Sequence, residues 1–512
     1  MAQHPPGLVV PATADVVVIG GGGAGLAAAI EAAGLGAKVI LAEKAEQLGG
    51  STGWSVGSLT ASGTVYQTRR GIADNVAAHS EDLSIMNARV RPETEPELRE
   101  FLVRKSPETL VWLQMLGVEF VGPFEEPPHR VPRMHNVIPG SRAYVERLSR
   151  RARELGVTIL CNTAAQSLQR KAEEVCGINL ISQGKQFSVS AGAVILATGD
   201  LSASPNALGP TLKNIGSGLT SVNRHATGDG HKIAIQAGAA VSHEILAKPT
   251  IRFMPSEGWF GVHNLPTHPW FARFMRFGFE RFPMRLMRPL LLGLLGSVLQ
   301  PDPSIFKTGA ILVNCDGEIF CDDPAHLATE LTHQPGGMGY ILFDHQVTQR
   351  YSEWPHFLST APGLGYIYIP DLCRYRRDVC RIFDNIVDLA VQTGMSPELL
   401  VQSVKSHNEK QRLGGFAGIL EAPFVALGPV RPFLVLTDGG LKVDPKMQVR
   451  KPDGGILRGL YAAGSTGQGD LLLQGHGHHL AWAFTSGREA GVQAASYALK
   501  LRTEKSGTDY LG

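Results

Sequence analysis

The chain lacks a dominant charge. Its 48 Lys and Arg stand against 46 Asp and Glu, a formal net charge of +2 over 512 residues. No overall field calls for nucleic acid. Cysteine is scarce: Cys161, Cys176, Cys315, Cys321, Cys373 and Cys380 form no C-x-x-C pair, so reduced thiols in a cytoplasmic chain are expected. Met1 to Thr13 is Pro-rich and shows no basic-then-apolar signal pattern, and it reads as a disordered lead-in, residues 1–13. No internal repeat is visible. The most apolar run, Pro289 to Leu299, is too short to span a bilayer. The length leaves room for two domains and a sizeable core.

Glycine, by contrast, is abundant at 59 residues, and its placement is informative. Asp15 to Ile19 is a short β-branched run followed by Gly20, Gly22 and Gly25 in G-x-G-x-x-G spacing. An Ala-rich helix is expected from Leu26 to about Leu35, and a second strand, Lys38 to Leu41, ends at Glu43. The first glycine permits a tight turn, the second lets the backbone approach a pyrophosphate, and the third lets helix pack on strand. The helix N-terminus would face the phosphates, and Glu43, followed by Lys44, the ribose. Together these parts predict a dinucleotide site. Downstream, Gly49, Gly50, Ser51 and Thr52, and a second run from Ser55 to Gly63, carry side chains small enough for backbone amides to close on a flat ring.

At these residues the chain resembles the fumarate reductase/succinate dehydrogenase flavoprotein superfamily, closest in character to its 3-ketosteroid dehydrogenases. Further motifs follow in the same order: Ala197-Thr198-Gly199, Ala226-Thr227-Gly228-Asp229-Gly230, Gly309 to Asn314, and Gly459 to Gly464. The resemblance covers nearly the whole chain. It implies an α/β fold: a discontinuous Rossmann-like FAD-binding domain, residues 14–244 and 427–512, with an inserted α+β substrate-binding cap, residues 245–426. The hinges are read at Ala247-Lys248-Pro249 and at Gly428-Pro429 with Arg431-Pro432. It implies non-covalent FAD, because Ser51 stands where covalent relatives carry the linking histidine. It places Ala165 beside the adenine, Thr198 and Gly199 under the cofactor, and Gly464, Ser465, His479 and Leu480 around the flavin. It also implies hydride chemistry at a carbon–carbon bond and an unidentified electron acceptor or donor.

The segment Gly469 to Leu480 is where the superfamily keeps flavin and substrate contacts. Gln474 takes the place of the arginine that clamps a substrate carboxylate in fumarate reductases, and Asp470 that of a preceding histidine. A dicarboxylate would lose both cationic partners. The expected substrate is therefore hydrophobic, steroid-like or a cyclic ketone, with desaturation preferred. The alternatives are an ene reductase of the fumarate-reductase type acting on a non-dicarboxylate, and a membrane-associated flavin protein without turnover. Gln474, His476 and the Gly477 N–H are candidate substrate donors. His326, Tyr366 or Tyr368 from the cap, and His129 or His135 from the FAD domain, are candidate bases. His476, His478 and His479 lack the helical i, i+4 spacing of a zinc pair, so no metal is expected.

One stretch departs from an ordinary cap. Residues 270–299 are dense in Phe, Leu and Met and carry Arg273, Arg276, Arg281, Arg285 and Arg288 against Glu280 alone. Such a segment suits a membrane surface, a cap helix packed on the core, or an oligomer interface.

Overall fold

The computed structural model describes residues 11–508 apart from 93–94, 205–214, 217, 255–260, 262–263, 283–285, 287, 290, 293–298, 362–364, 414–417 and 420. Most of the 1–13 lead-in, Arg285 and most of the Pro289–Leu299 run lie outside the described residues.

The fold is built around β1 (Thr13–Ile19), α1 (Gly23–Gly34) and β2 (Val39–Ala42). β1 is the centre of an eight-stranded sheet and pairs in parallel with β2 and with Lys185–Leu196, setting Val17 against Ile40 and Val194. The C-terminal strand Ile456–Ala462 joins the same sheet, with Leu460 opposite Val194. Two distant pieces of chain thus complete one layer, giving a discontinuous Rossmann-like fold. Val16, Val17, Val18, Leu460 and Ala462 are fully buried, as strands covered on both faces require.

The second sheet belongs to the cap. Its strands β3 (Thr250–Phe253), Ile311–Asn314, Gly339–Phe343, Cys380–Phe383 and β4 (Phe424–Leu434) are joined by Thr220–Ser221, and β4 is the strand to which most of them pair. The sheet thus draws on residues on both sides of 245–426. Gly428-Pro429 and Arg431-Pro432 lie inside β4 and are not hinges. The chain instead crosses between sheets where Leu246–Ala247 pairs antiparallel with Thr437–Asp438. Helix α2 (His478–Thr508) then returns over α1. The two helices touch closely because a Cβ on Gly487 would stand 2.3 Å from the Ala24 carbonyl oxygen, and one on Gly491 2.3 Å from that of Ala28.

Tertiary context sets four local features. The helix Pro96–Met115 runs unbroken through Pro107; the Val103 carbonyl that loses its N–H partner accepts from Ser106 Oγ at 3.4 Å. Thr158–Leu160 lies parallel to β2, while Glu174–Ser182 pairs with Thr163–Lys171 and Lys185–Leu196. The helix Ile386–Thr393 begins only after Cys380–Phe383, which is recruited to β4. Cys373 and Cys380 are joined in a disulfide, not both reduced, since that turn brings their Cα atoms within 5.0 Å.

The arginine-rich segment is also less one-sided than its sequence. Pro269–Arg281 is a helix packed on the FAD-domain strands Glu119–Phe124 and Met134–Ile138. Glu119 pairs with Arg276 at 2.5 Å and Arg273 at 3.6 Å, and Asp371 pairs with Arg288 at 2.5 Å. The compensating acids come from elsewhere in the chain. Trp270, Phe274 and Phe277 nonetheless remain exposed along one side. Among the described residues no helix is long and apolar enough to cross a membrane.

Candidate active site

A cleft of about 1210 Å³ runs along the C-terminal ends of β1 and β2 and under the cap. Gly20, Gly22, Glu43, Lys44, Gly49, Gly50, Ser51, Thr52, Ala165, Thr198, Gly199, Gly464 and Ser465 all line it. Gly25 does not, and its role is internal: a Cβ there would fall 1.8 Å from the Gly20 carbonyl oxygen. Gly20 has φ +104° and lies against the Ala197 carbonyl. Gly22 differs from both. The nearest atom to a Cβ on it is the Gly49 oxygen at 3.9 Å, so the space beside it is open. Two glycines therefore serve the turn and one leaves room for a ligand.

The walls are held by side chains that the motifs supply. Glu43 is buried and accepts from the backbone N–H groups of Gly21 at 2.7 Å and Ala45 at 2.8 Å. Thr52 Oγ1 accepts from the Gly23 N–H at 3.1 Å, capping α1. Lys44 pairs with Asp229 at 2.6 Å and also bonds Thr227, which ties the Glu43 loop to the Ala226–Gly230 motif. The Gly230 N–H donates to Thr198 Oγ1 at 3.2 Å, and Thr466 Oγ1 donates to the Gly199 carbonyl at 2.9 Å. The Gly464 turn is fixed from α2, since Trp482 Nε1 donates to the Gly464 oxygen at 3.0 Å. Ser51 Oγ accepts from Asn223 at 3.0 Å. A hydroxyl at that position does not form the linkage a histidine would, so denaturing the purified yellow protein should release all FAD into the supernatant. Flavin absorbance retained on the precipitated chain would contradict this.

The expected catalytic residues divide. Gln474 spends an amide N–H on Asp438 Oδ2 at 3.3 Å, which reduces its capacity to polarise a ketone. Asp438 is buried and also accepts from Gln468 at 2.7 Å, with His479 Nε2 at 3.4 Å. His479 and Leu480 do not line the cleft. Asp470 is engaged by Lys442 at 3.1 Å and His243 at 3.0 Å. His476 faces Glu126, whose Oε1 lies 2.6 Å from Nδ1 and accepts from the backbone N–H at 2.5 Å. That hydrogen bond raises the His476 pKa. Burial pushes Glu126 up, but the bonds from His476 outweigh it and hold the carboxyl below its ordinary value. Gly477 has φ +88° and abuts Thr60, where a Cβ would approach Oγ1 to 2.6 Å.

The other candidates are elsewhere. His326 is 67 % exposed and pairs with Asp323 at 2.8 Å. Tyr366 stacks among Trp354 and Phe357, and Tyr368 lies under the Arg288 guanidinium. Like Gln474, His476 and Gly477, none of the three lines the cleft. His129 and His135 are interior residues: His129 Nδ1 lies 3.0 Å from Arg133 Nη1, and His135 Nε2 lies 2.9 Å from Thr64 Oγ1. His478 turns inward to His79 at 3.0 Å while His476 and His479 face Glu126 and Asp438, so the three histidines point three ways. Sequence reasoning missed Glu126, Asp438 and Arg252. The last lines the cleft from β3, and its signal was a charge within the apolar alternation Thr-Ile-Arg-Phe.

Residues 15–255 match the family model for an FAD binding domain. The chain is 26 % identical over 510 residues to a fumarate reductase (cytochrome) of Shewanella frigidimarina, covering 95 % of this chain and 78 % of that protein. It is 26 % identical over 514 residues to a vinyl phenol reductase of Lactiplantibacillus plantarum, covering 94 % and 96 %. In three dimensions it is similar to the open conformation of a flavocytochrome c3 fumarate reductase, with a TM-score of 0.69 at 25 % identity, covering 95 % and 79 % of the two chains. This chain is an FAD-dependent oxidoreductase. Its reaction is that of a dehydrogenase or reductase at a CH–CH group. The cleft fits the cofactor on its own evidence, through the open space at Gly22, the N-terminus of α1 and the Glu43 carboxylate.

Proposed function

We propose that this oxidoreductase is an ene reductase of the fumarate-reductase type whose substrate is not a dicarboxylate. The observation that carries the reading is the His476–Glu126 pair. Adding a hydride to one carbon of an activated alkene requires a proton at the other, and a histidine held cationic by a carboxylate is a suitable acid near neutral pH. With Nδ1 committed to Glu126, Nε2 is the position from which His476 would release that proton. The Gly477 N–H and the N-terminus of α2 would favour negative charge developing on the activating group. FAD, when bound, supplies hydride transfer at its isoalloxazine N5, and an electron donor not yet identified restores its reduced form. Gln474, tied to Asp438, leaves no cation in the place where fumarate reductases clamp a carboxylate.

Desaturation of a steroid-like ketone, preferred on sequence, now ranks second. A fumarate reductase (cytochrome) and a vinyl phenol reductase match most of this chain at 26 % identity, against 23 % for a 3-oxosteroid 1-dehydrogenase of Mycolicibacterium smegmatis.

The pair sets a pH test. Glu126 raises the His476 pKa, so the acid form persists to higher pH and is lost as pH rises through that raised value. Glu126→Gln removes the charge, so the alkaline limb of kcat for alkene reduction should move to lower pH. Activity on the falling limb should then drop about tenfold for every pH unit the limb moves. An unmoved limb would remove His476 from the role of acid. Oxidation of the photoreduced flavin by an electron-poor alkene, with fumarate as the slow comparison, tests the reaction class itself.

A further inference from the structure

Arg252 sits on β3 with its side chain on the wall of the cofactor cleft. Its hydrogen-bond partner is neutral: with its amide turned to accept, Gln300 takes Nε at 3.3 Å and Nη2 at 3.1 Å. Among the described residues no carboxylate forms an ion pair with it. Burial alone acts on its guanidinium, pushing the pKa down to about 10. Guanidinium groups in such surroundings are normally paired.

Directly opposite on β4 is Arg431, in register with Arg252. Residues opposed in an antiparallel pair share a face, and like charges there are destabilising. Arg431 Nε is itself buried without a partner. It lines an adjoining pocket of about 400 Å³, and Thr220 borders both spaces. Arg252 and Arg431 therefore stand side by side on the cap sheet, with no carboxylate ion-paired to either among the described residues. Arg252 is also one of the charges that act on His476, at the proposed reacting end of the site. At that end the buried Asp438 carboxylate has no Lys or Arg paired with it among the described residues and would repel a second anion.

Resting on the ene-reductase reading above, we infer that Arg252 is the substrate-anion receptor of this enzyme, and that its substrate is an alkene bearing one carboxylate and an uncharged remainder. Arg252 would take the carboxylate in a two-point bond, from a strand of the cap and not from the Gln474 position. The Asp438 end would disfavour a dicarboxylate.

Ligand binding to the oxidised holoenzyme tests this separately from turnover. The probes are trans-cinnamate, its neutral amide and fumarate, titrated while the flavin spectrum is followed. Wild type is expected to bind cinnamate at least tenfold more tightly than cinnamamide or fumarate. Arg252→Met should abolish the preference for cinnamate over the amide with FAD still bound, and Arg252→Lys should keep part of it. Equal affinity for acid and amide in wild type, no perturbation by any probe, tighter fumarate binding, or an unchanged preference in Arg252→Met would each overturn the inference. If Arg252→Met and Arg252→Lys both lose FAD together with cinnamate, the arginine serves the cofactor pyrophosphate and the inference fails. A carboxylate preference that depends on Arg252 in an enzyme whose reduced flavin no alkene reoxidises would sustain Arg252 and overturn the ene-reductase reading alone.

Discussion

Moving the protein from pH 7 to pH 5.5 is expected to remove roughly 4 kcal/mol of stability, through histidines that the fold keeps neutral. Burial lowers the pKa of His135 to about 4, of His231 to about 4 and of His478 to about 3. Burial lowers His79 and His129 in the same direction. Unfolded, each would titrate near 6.5. Below that pH the unfolded chain binds protons that the folded chain refuses, so stability is complete above 6.5 and declines as pH falls toward the folded values. Each group contributes a slope of about 1.4 kcal/mol per pH unit, and three together about 4. His476 runs the other way, because its raised pKa adds stability below 6.5, but it offsets only one of them. Net stabilities of about 5–15 kcal/mol cannot absorb such a slope far below pH 5. Denaturant midpoints measured from pH 7.5 to 5 should fall steeply. His231 isolates one contribution. Neither ring nitrogen of this buried side chain has a protein partner among the described residues, so His231→Leu should flatten the slope by about 1.4 kcal/mol per pH unit without loss at pH 7.5. Midpoints that stay level from pH 7 to 5.5 would mean that these rings protonate in place.

The cofactor half of the molecule was legible and the catalytic half was not, for a physical reason. A nucleotide turn is built from consecutive backbone, so Gly20, Gly22 and Glu43 can be read from their spacing, while Thr198 and Gly464 are placed only by the superfamily resemblance. A catalytic side chain acts through partners far away in the chain. Gln474 stood at the expected place, but Asp438 takes its amide from 36 residues upstream. His476 acquires its character from Glu126, 350 residues away. His326 and Tyr366 do not line the cleft. The hairpin from Thr163 to Ser182 was missed in part because its first strand is only half-buried and shows little apolar alternation. The arginines of 270–299 read as a one-sided field because Glu119 and Asp371, which neutralise three of them, lie outside the segment.

The fingerprint glycines should separate when each is replaced by alanine, because they serve different masters. At Gly25 the added Cβ would meet the Gly20 carbonyl oxygen at 1.8 Å. That oxygen belongs to the turn itself and has no rotamer to escape into, so helix and strand must part. Overpacking commonly costs about 1–3 kcal/mol when side chains can yield; against backbone the cost should exceed about 3 kcal/mol, and Gly25→Ala is expected to lose both FAD and the folded state. At Gly22 the backbone has φ −76° and ψ −172°, which any residue adopts, and the methyl group would project into open space. Gly22→Ala should therefore unfold at nearly the wild-type denaturant midpoint as the apoprotein. Its Kd for FAD should rise about ten- to a hundredfold, from about 1–3 kcal/mol of lost approach at the pyrophosphate. Gly34→Ala at the end of α1 meets nothing within 4 Å and should gain up to about 1 kcal/mol with FAD affinity unchanged. Apoprotein unfolding and FAD titration of the three variants measure the two properties apart. Wild-type FAD affinity in Gly22→Ala would show that the open space beside that residue is not where the pyrophosphate lies.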